Sequence, residues 1–153
     1  MVEPREMLSL IPHGLYLIGV QTGSSSFIFT GSWLTQCSFE PCLIAAAVRR
    51  THEGHAAIQE AGAFTVNFLA AGQLELARVG FANPDDRLVG LNWKPCPETG
   101  APVVLDALGF IGCRLVNWIE GGDHDLAIAE AIVAERFREG ELLNIHDTPW
   151  RYS

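Results

Sequence analysis

Three short stretches carry the side chains best suited to chemistry. Arg49-Arg50-Thr51 sets two guanidinium forks and a hydroxyl where a buried apolar run, "CLIAAAV" (42–48), gives way to a helix start. Guanidinium groups grip anionic oxygens two at a time, and the unpaired N–H groups of a helix N-terminus favour the same charge. The trio is therefore a candidate phosphate cradle; a solvated pair of strand-end arginines, with Thr51 only capping the helix, would have the same sequence. Upstream, "TGSWLTQCSFEPCLI" (30–44) mixes Ser32, Trp33, Thr35 and Ser38 with apolar neighbours. Such a segment can hold a flat, partly polar ligand against its own backbone amides, or it can be an ordinary edge strand. Third comes His124 in the turn Gly121-Gly122-Asp123-His124-Asp125. Its imidazole can stack on an aromatic ring or donate to a ligand amide, or it can be a turn residue anchored by Asp123.

Metal chemistry is a poorer reading. His52 and His55 stand three apart at the helix start, and His124, His146 or Asp123 could join them, but a histidine pair without a motif-grade partner is more often a surface pair. Asn83-Pro84-Asp85-Asp86-Arg87 lacks the glycine and closing glutamate of a calcium loop and reads as a solvated turn. Cys37, Cys42, Cys96 and Cys113 form no CxxC pair, and no basic start with an apolar run opens the chain. They read as reduced thiols of a cytoplasmic protein.

These residues must be positioned by one domain, residues 1–153. A chain of 153 residues that is 48% hydrophobic and 18% charged buries roughly 70% of the surface its unfolded form exposes. A net charge of −8 with no basic stripe, Arg49-Arg50 being the only adjacent cations, argues against nucleic acid as partner. The apolar runs fall far short of the roughly 20 residues that span a bilayer. Residues 4–11 read as a short helix closed by Pro12. Segments 14–22 and 26–38, divided by Gly23-Ser24-Ser25, read as a hairpin, and 42–48 as a buried strand. Thr51 is the expected N-cap of a three-turn helix that stops at Gly62. A strand over 64–70 and a helix over 73–81 follow. The proline-bearing stretch 82–104 is expected to be irregular, and the two longest strands, 110–120 and 125–137, hinge on Gly121-Gly122-Asp123-His124. Many strands with two or three short helices predict a mainly β, α+β antiparallel barrel.

"TGSWLTQCSFEPCLIAAAV", "THEGHAAIQEAGAFTVNFL", "FANPDDR", "GAPVVLDALGFIGCRLV", "GGDHDLAIAEAIVAE" and "GELLNIHDTPWRY", in that order, resemble the flavin reductase-like FMN-binding domain. The resemblance is closest to the variant attached to diflavin and rubredoxin-type flavoproteins and covers nearly the whole chain. It implies a split β-barrel with Greek-key connections and a homodimer with FMN, rather than FAD, near the subunit interface. It further implies that Thr30, Gly31, Ser32, Trp33, Leu34 and Thr35 run beside the flavin, their main chain bonding the ring's polar edge, with Ser32, Thr35 and Ser38 as hydroxyl contacts. Arg49, Arg50 and Thr51 then take the phosphate, and His124, in the family's Gly-Asp-His, lies on the nicotinamide side. Two functions are compatible with it. One is an NAD(P)H-dependent flavin reductase that hands electrons to free flavin, a partner oxygenase or dioxygen, the cofactor carrying the chemistry without a catalytic side chain. The other is a non-catalytic FMN electron carrier reduced by a partner. His124 and Trp150-Arg151-Tyr152 favour the enzyme; a barrel that has lost flavin is the bland third class.

Overall fold

The Gly23-Ser24 turn, with Gly23 at φ 54°, closes a hairpin of β1 (Tyr16–Thr22) and β2 (Ser25–Gly31), Tyr16 opposite Gly31 and Thr22 opposite Ser25. The positive φ is why glycine stands there. The computed structural model describes residues 1–151. In it the single strand expected over 26–38 is broken at Ser32 and Trp33, and β3 (Leu34–Ser38) pairs with β4 (Leu43–Arg49) instead of continuing beside β1. The seven main strands form one antiparallel sheet in the order β2-β1-β5-β8-β9-β4-β3. Its two edges, β2 and β3, are joined by two residues, which reach about 11 Å at most. The edges must therefore meet, and the sheet closes into the expected barrel.

Helix α2 (Glu53–Ala61) crosses from β4 to β5 (Ala63–Phe68). Its N-cap is His52, not the expected Thr51: the His52 Nδ1 accepts the Gly54 N–H at 2.9 Å, while Thr51 sits exposed in the preceding turn. Gly62 (φ 67°) ends the helix and donates to the Ile58 carbonyl, and Ile58 is buried against the sheet; truncating it to alanine costs about 2–5 kcal/mol. Helix α1 (Pro4–Leu8) stops three residues earlier than expected and buries nothing. Helix α3 (Leu74–Val79) is likewise shorter than 73–81.

The stretch 82–104 is more ordered than its prolines suggest. It holds a 3-10 turn, Pro84–Asp86, and a separate antiparallel pair, β6 (Trp93–Pro95) and β7 (Pro102–Val104). The reason lies elsewhere in the chain. Asn67, fully buried on β5, accepts the Val104 N–H at 2.8 Å and donates to the carbonyls of Leu17 and Pro102, docking the pair onto the barrel. The long hairpin β8 (Gly109–Ile119) and β9 (His124–Arg136) carries two register shifts, at Gly112/Cys113 and Leu115/Asn117, which bend it as bulges do. Tyr16, Val20, Phe29, Phe64, Val66 and Cys113 belong to the main core cluster.

Candidate functional site

Strand alternation divides the arginine pair. In the β4–β9 ladder Arg49 lies opposite His124 and Val48 opposite Asp125, so Arg49 and His124 share one face and Asp125 takes the other. Val48 and Asp125 are buried, whereas Arg49 is exposed. On the outward face His124 is fixed from two sides. Its Nδ1 lies 2.7 Å from Asp123 Oδ1, and its ring centroid lies 4.7 Å from that of Trp33. Trp33 in turn has His13 at 6.2 Å, and its carbonyl accepts the Ala47 N–H. The bond from His124 also holds the exposed Asp123 carboxyl below its ordinary range. His124 is thus the turn residue anchored by Asp123, and with a carboxylate on Nδ1 its Nε2 makes no part of that bond.

Beside this pair opens a pocket of about 250 Å³ whose lining includes Thr30, Gly31, Arg49, Phe81, Trp150 and Arg151. Phe81 and Trp150 meet edge to face at 4.9 Å, and the Arg78 guanidinium lies 5.8 Å from the Trp150 ring. Thr30 is placed by α3, its hydroxyl donating to the Ala77 carbonyl at 2.6 Å. A Cβ on Gly80 would run into the hydroxyl and main-chain nitrogen of Thr30 and fall 2.9 Å from the Phe29 carbonyl carbon, so the helix end approaches β2 closely only because residue 80 is glycine. A larger cleft of about 380 Å³, at the far end of the β8–β9 hairpin, includes Phe68, Leu108, Phe110 and Leu142 and holds none of the expected site residues.

Arg50 turns the opposite way from Arg49. Its Nε donates to Asp125 Oδ1 at 2.9 Å and its Nη2 to the Gly121 carbonyl at 3.1 Å. Asp125 also meets His55 Nε2 at 2.7 Å, the Trp118 indole N–H at 3.3 Å and the Gly121 N–H at 3.0 Å. The bond from His55 above all, then those from Gly121, Arg50 and Trp118, holds this carboxyl well below the usual carboxylate range. Neither Asp125 nor His55 was expected as part of the site. Only the buried position of Asp125 in an apolar, alternating strand could have marked it.

The histidines of the weaker metal reading have other partners. His52 caps α2 and packs on Phe29 with centroids 4.6 Å apart. Burial lowers its pKa, with Arg87 and Arg49 acting the same way against Glu53; as a cap its Nδ1 must be an acceptor. Arg87, from the expected solvated turn, is buried and donates to Ala82, Ile28 and Glu53. Among the described residues no group of three His, Cys, Asp or Glu is arranged to hold a metal ion. The four cysteines are free, and burial, followed by Cys42 and Cys96, pushes the Cys113 thiol up to about 12.

The structure therefore brings Thr30, Gly31 and Arg49 onto one pocket with Trp33 and His124 on the adjoining face. Ser32 is buried, and Leu34 packs against the core while its N–H bonds the Ser32 carbonyl. Thr35 is exposed with its hydroxyl on the Gln36 carbonyl. Ser38 stands at the far end of β3, about 13 Å from Leu34 at strand rise, and neither hydroxyl lines the pocket. Of the C-terminal trio, Trp150 and Arg151 reach the pocket, and Tyr152 lies outside the described residues.

A barrel of seven antiparallel strands, with an arginine and aromatic walls at a pocket among its strand ends, defines a small-molecule-binding split β-barrel. Residues 7–148 match the flavin reductase like domain, and the chain belongs to that family. It is 32% identical over 142 residues to the putative diflavin flavoprotein A 3 of Nostoc, an alignment covering 89% of this chain and 24% of that protein. The chain thus spans about a quarter of the length of that relative. Among solved structures, the NADH:FAD oxidoreductase SgcE6 of Streptomyces globisporus superposes with a TM-score of 0.87 at 28% identity, over 94% of this chain and 90% of that one. BorF, the flavin reductase component of a bacterial two-component tryptophan halogenase, gives 0.83 at 28% identity, over 92% and 89%. Among the described residues no helix is long and apolar enough to cross a membrane.

Proposed function

We propose that the domain is an NAD(P)H-dependent flavin reductase that holds FMN by its phosphate at Arg49 and admits nicotinamide beside His124. The observation that carries this reading is the cross-strand pairing of Arg49 with His124 beside the pocket of Thr30 and Gly31. Residues directly opposite in an antiparallel ladder have Cα atoms about 4.5–5.5 Å apart, so a cation for an anionic tail and an imidazole for an aromatic co-substrate stand side by side. The donor set fits a flavin nucleotide: a guanidinium for phosphate, compact main chain at Gly31 for the ring edge, and the aromatic wall of Phe81 and Trp150.

In this arrangement Arg49, with Thr51 and the start of α2, binds the phosphate, and the main chain of residues 30–34 orients the ring. The His124 Nδ1–H is donated to Asp123, which leaves Nε2 to meet the nicotinamide carboxamide. The bound flavin supplies the hydride-accepting nitrogen, and no side chain exchanges a proton in that step. FAD carries the same first phosphate and competes for the same contacts. A partner oxygenase is the acceptor we favour for the reduced flavin; BorF, the flavin reductase component of a two-component tryptophan halogenase, is likewise one half of a two-component system. The outward face that carries Arg49 and His124 continues into Leu126 and its cross-strand partner Ile119, which are 37% and 44% exposed. We place a second copy of the chain on this apolar surface, which makes the site part of a homodimer interface.

Anaerobic mixing of flavin-loaded protein with NADH and then NADPH, followed by loss of flavin absorbance, tests the activity. Bound FMN should be reduced at least about tenfold faster than free FMN. Equal rates end the reductase reading and leave an FMN carrier reduced by another protein.

A further inference from the structure

Asp125 is the single buried carboxylate among the described residues, and its four donors come from four places in the fold. Arg50 follows β4, His55 sits in the first turn of α2, Trp118 belongs to β8, and Gly121 to the β8–β9 turn. Two more bonds close the knot: Arg50 Nη2 to the Gly121 carbonyl at 3.1 Å and the Arg50 N–H to the Asp123 carbonyl at 2.9 Å. The turn that carries Asp123 and His124 is thereby fastened to the junction that carries Arg49 and Thr51. A buried ion pair of this kind adds little stability over well-packed apolar side chains, so its consequence is sought in geometry. Successive strand residues share one stiff backbone. A displacement of Asp125 displaces His124, and a displacement of Arg50 displaces Arg49.

We infer that Asp125, gripped by Arg50 and His55, is a positioning residue that sets the spacing between Arg49 and His124, and with it the spacing between the phosphate and nicotinamide ends of the site. Its effect on catalysis rests on the reductase reading above; the mechanical coupling does not. The side chain touches neither ligand. It acts through the two strands whose outward residues do.

The test compares Asp125→Asn with Asn67→Ala in the full chain. Asn67 is buried at the contact of β5 with β7 and belongs to neither the pocket lining nor the Asp125 cluster, so its loss controls for destabilisation. In the ligand-free protein, Asp125→Asn should speed amide exchange of residues 49–55 and 118–124 together, and Asn67→Ala should not. In the flavin-loaded protein at a temperature where both variants are folded, Asp125→Asn should raise the KM for NAD(P)H about tenfold and weaken FMN binding several-fold, with kcat changed less. A lowered Tm with unchanged KM and FMN affinity, or exchange that quickens in only one of the two segments, overturns the inference. If the wild type takes no flavin, the reductase reading fails and the exchange pattern alone decides the coupling. Should Asp125→Asn not fold, His55→Ala removes one donor of the four and is expected to move the same readouts in the same direction to a smaller degree.

Discussion

Arginine 49 and arginine 50 are adjacent in sequence, and replacing each by alanine should give different results. Arg49 lines the pocket and is exposed before a ligand binds. A charge-assisted hydrogen bond is worth about 1.5–3 kcal/mol, and an exposed group belongs at the lower end, so one lost bond weakens FMN roughly tenfold and a bidentate pair roughly a hundredfold. Riboflavin, which lacks the phosphate, should bind Arg49→Ala and wild type alike. Arg50→Ala removes one of the donors to Asp125 and the bond to Gly121. It should lower the Tm and, because Arg50 holds Arg49 in place, weaken FMN only several-fold. Fluorescence titration with FMN and riboflavin, paired with thermal melts, reads all three quantities for each variant. A phosphate-selective loss in Arg50→Ala as large as that in Arg49→Ala, or a loss shared equally by the two flavins in Arg49→Ala, would refute the division of labour inferred from strand alternation.

Gly80→Ala should disturb the pocket from outside it, because the new methyl would meet the Thr30 hydroxyl and, behind it, the main chain of Thr30 and Phe29, which cannot move aside as a flexible side chain can; FMN affinity and Tm should both fall, and an unchanged titration would show that α3 does not set Thr30. Stability should fall with acid in two stages. His52 has a pKa below its ordinary 6.5, so the folded protein binds fewer protons than the unfolded one; its contribution is complete above about pH 6.5 and is lost as pH falls through the lowered value. Asp125 is lowered from 3.8, and its contribution is lost only as pH falls below about 4. Melts across pH should show the first stage vanish in His52→Asn, which keeps a capping side chain without a titrating ring. For assembly, light scattering should give a dimer, and Leu126→Lys, a charge on the outward face, should give a monomer with weaker flavin binding; a wild-type monomer with flavin bound rejects the interface.

How far the sequence reached depends on whether a feature is local. The glycine at a left-handed turn, the helix stop at Gly62 and the alternation in 125–129 are set within a few residues, and with the family resemblance they were enough for the barrel, the hairpins and the grouping of Thr30, Gly31 and Arg49, which meet at one pocket. Long-range contacts decided the rest. Nothing in 82–104 announces β6 and β7, because they are held by the side chain of Asn67 on another strand. By residue type Thr51 is the favoured cap; the His52 imidazole, packed on Phe29, takes that place instead. The break at Ser32 and Trp33 follows from barrel closure, which no local pattern records. Arg49 and Arg50 were a single charge cluster in sequence, whereas on a strand neighbouring side chains point to opposite faces. The register of β4 against β9 puts His124 beside Arg49 and buries Asp125 on the other face with Arg50 as its partner. Residue types named the chemistry available, and only strand pairing between positions about 75 residues apart decided which of them meet.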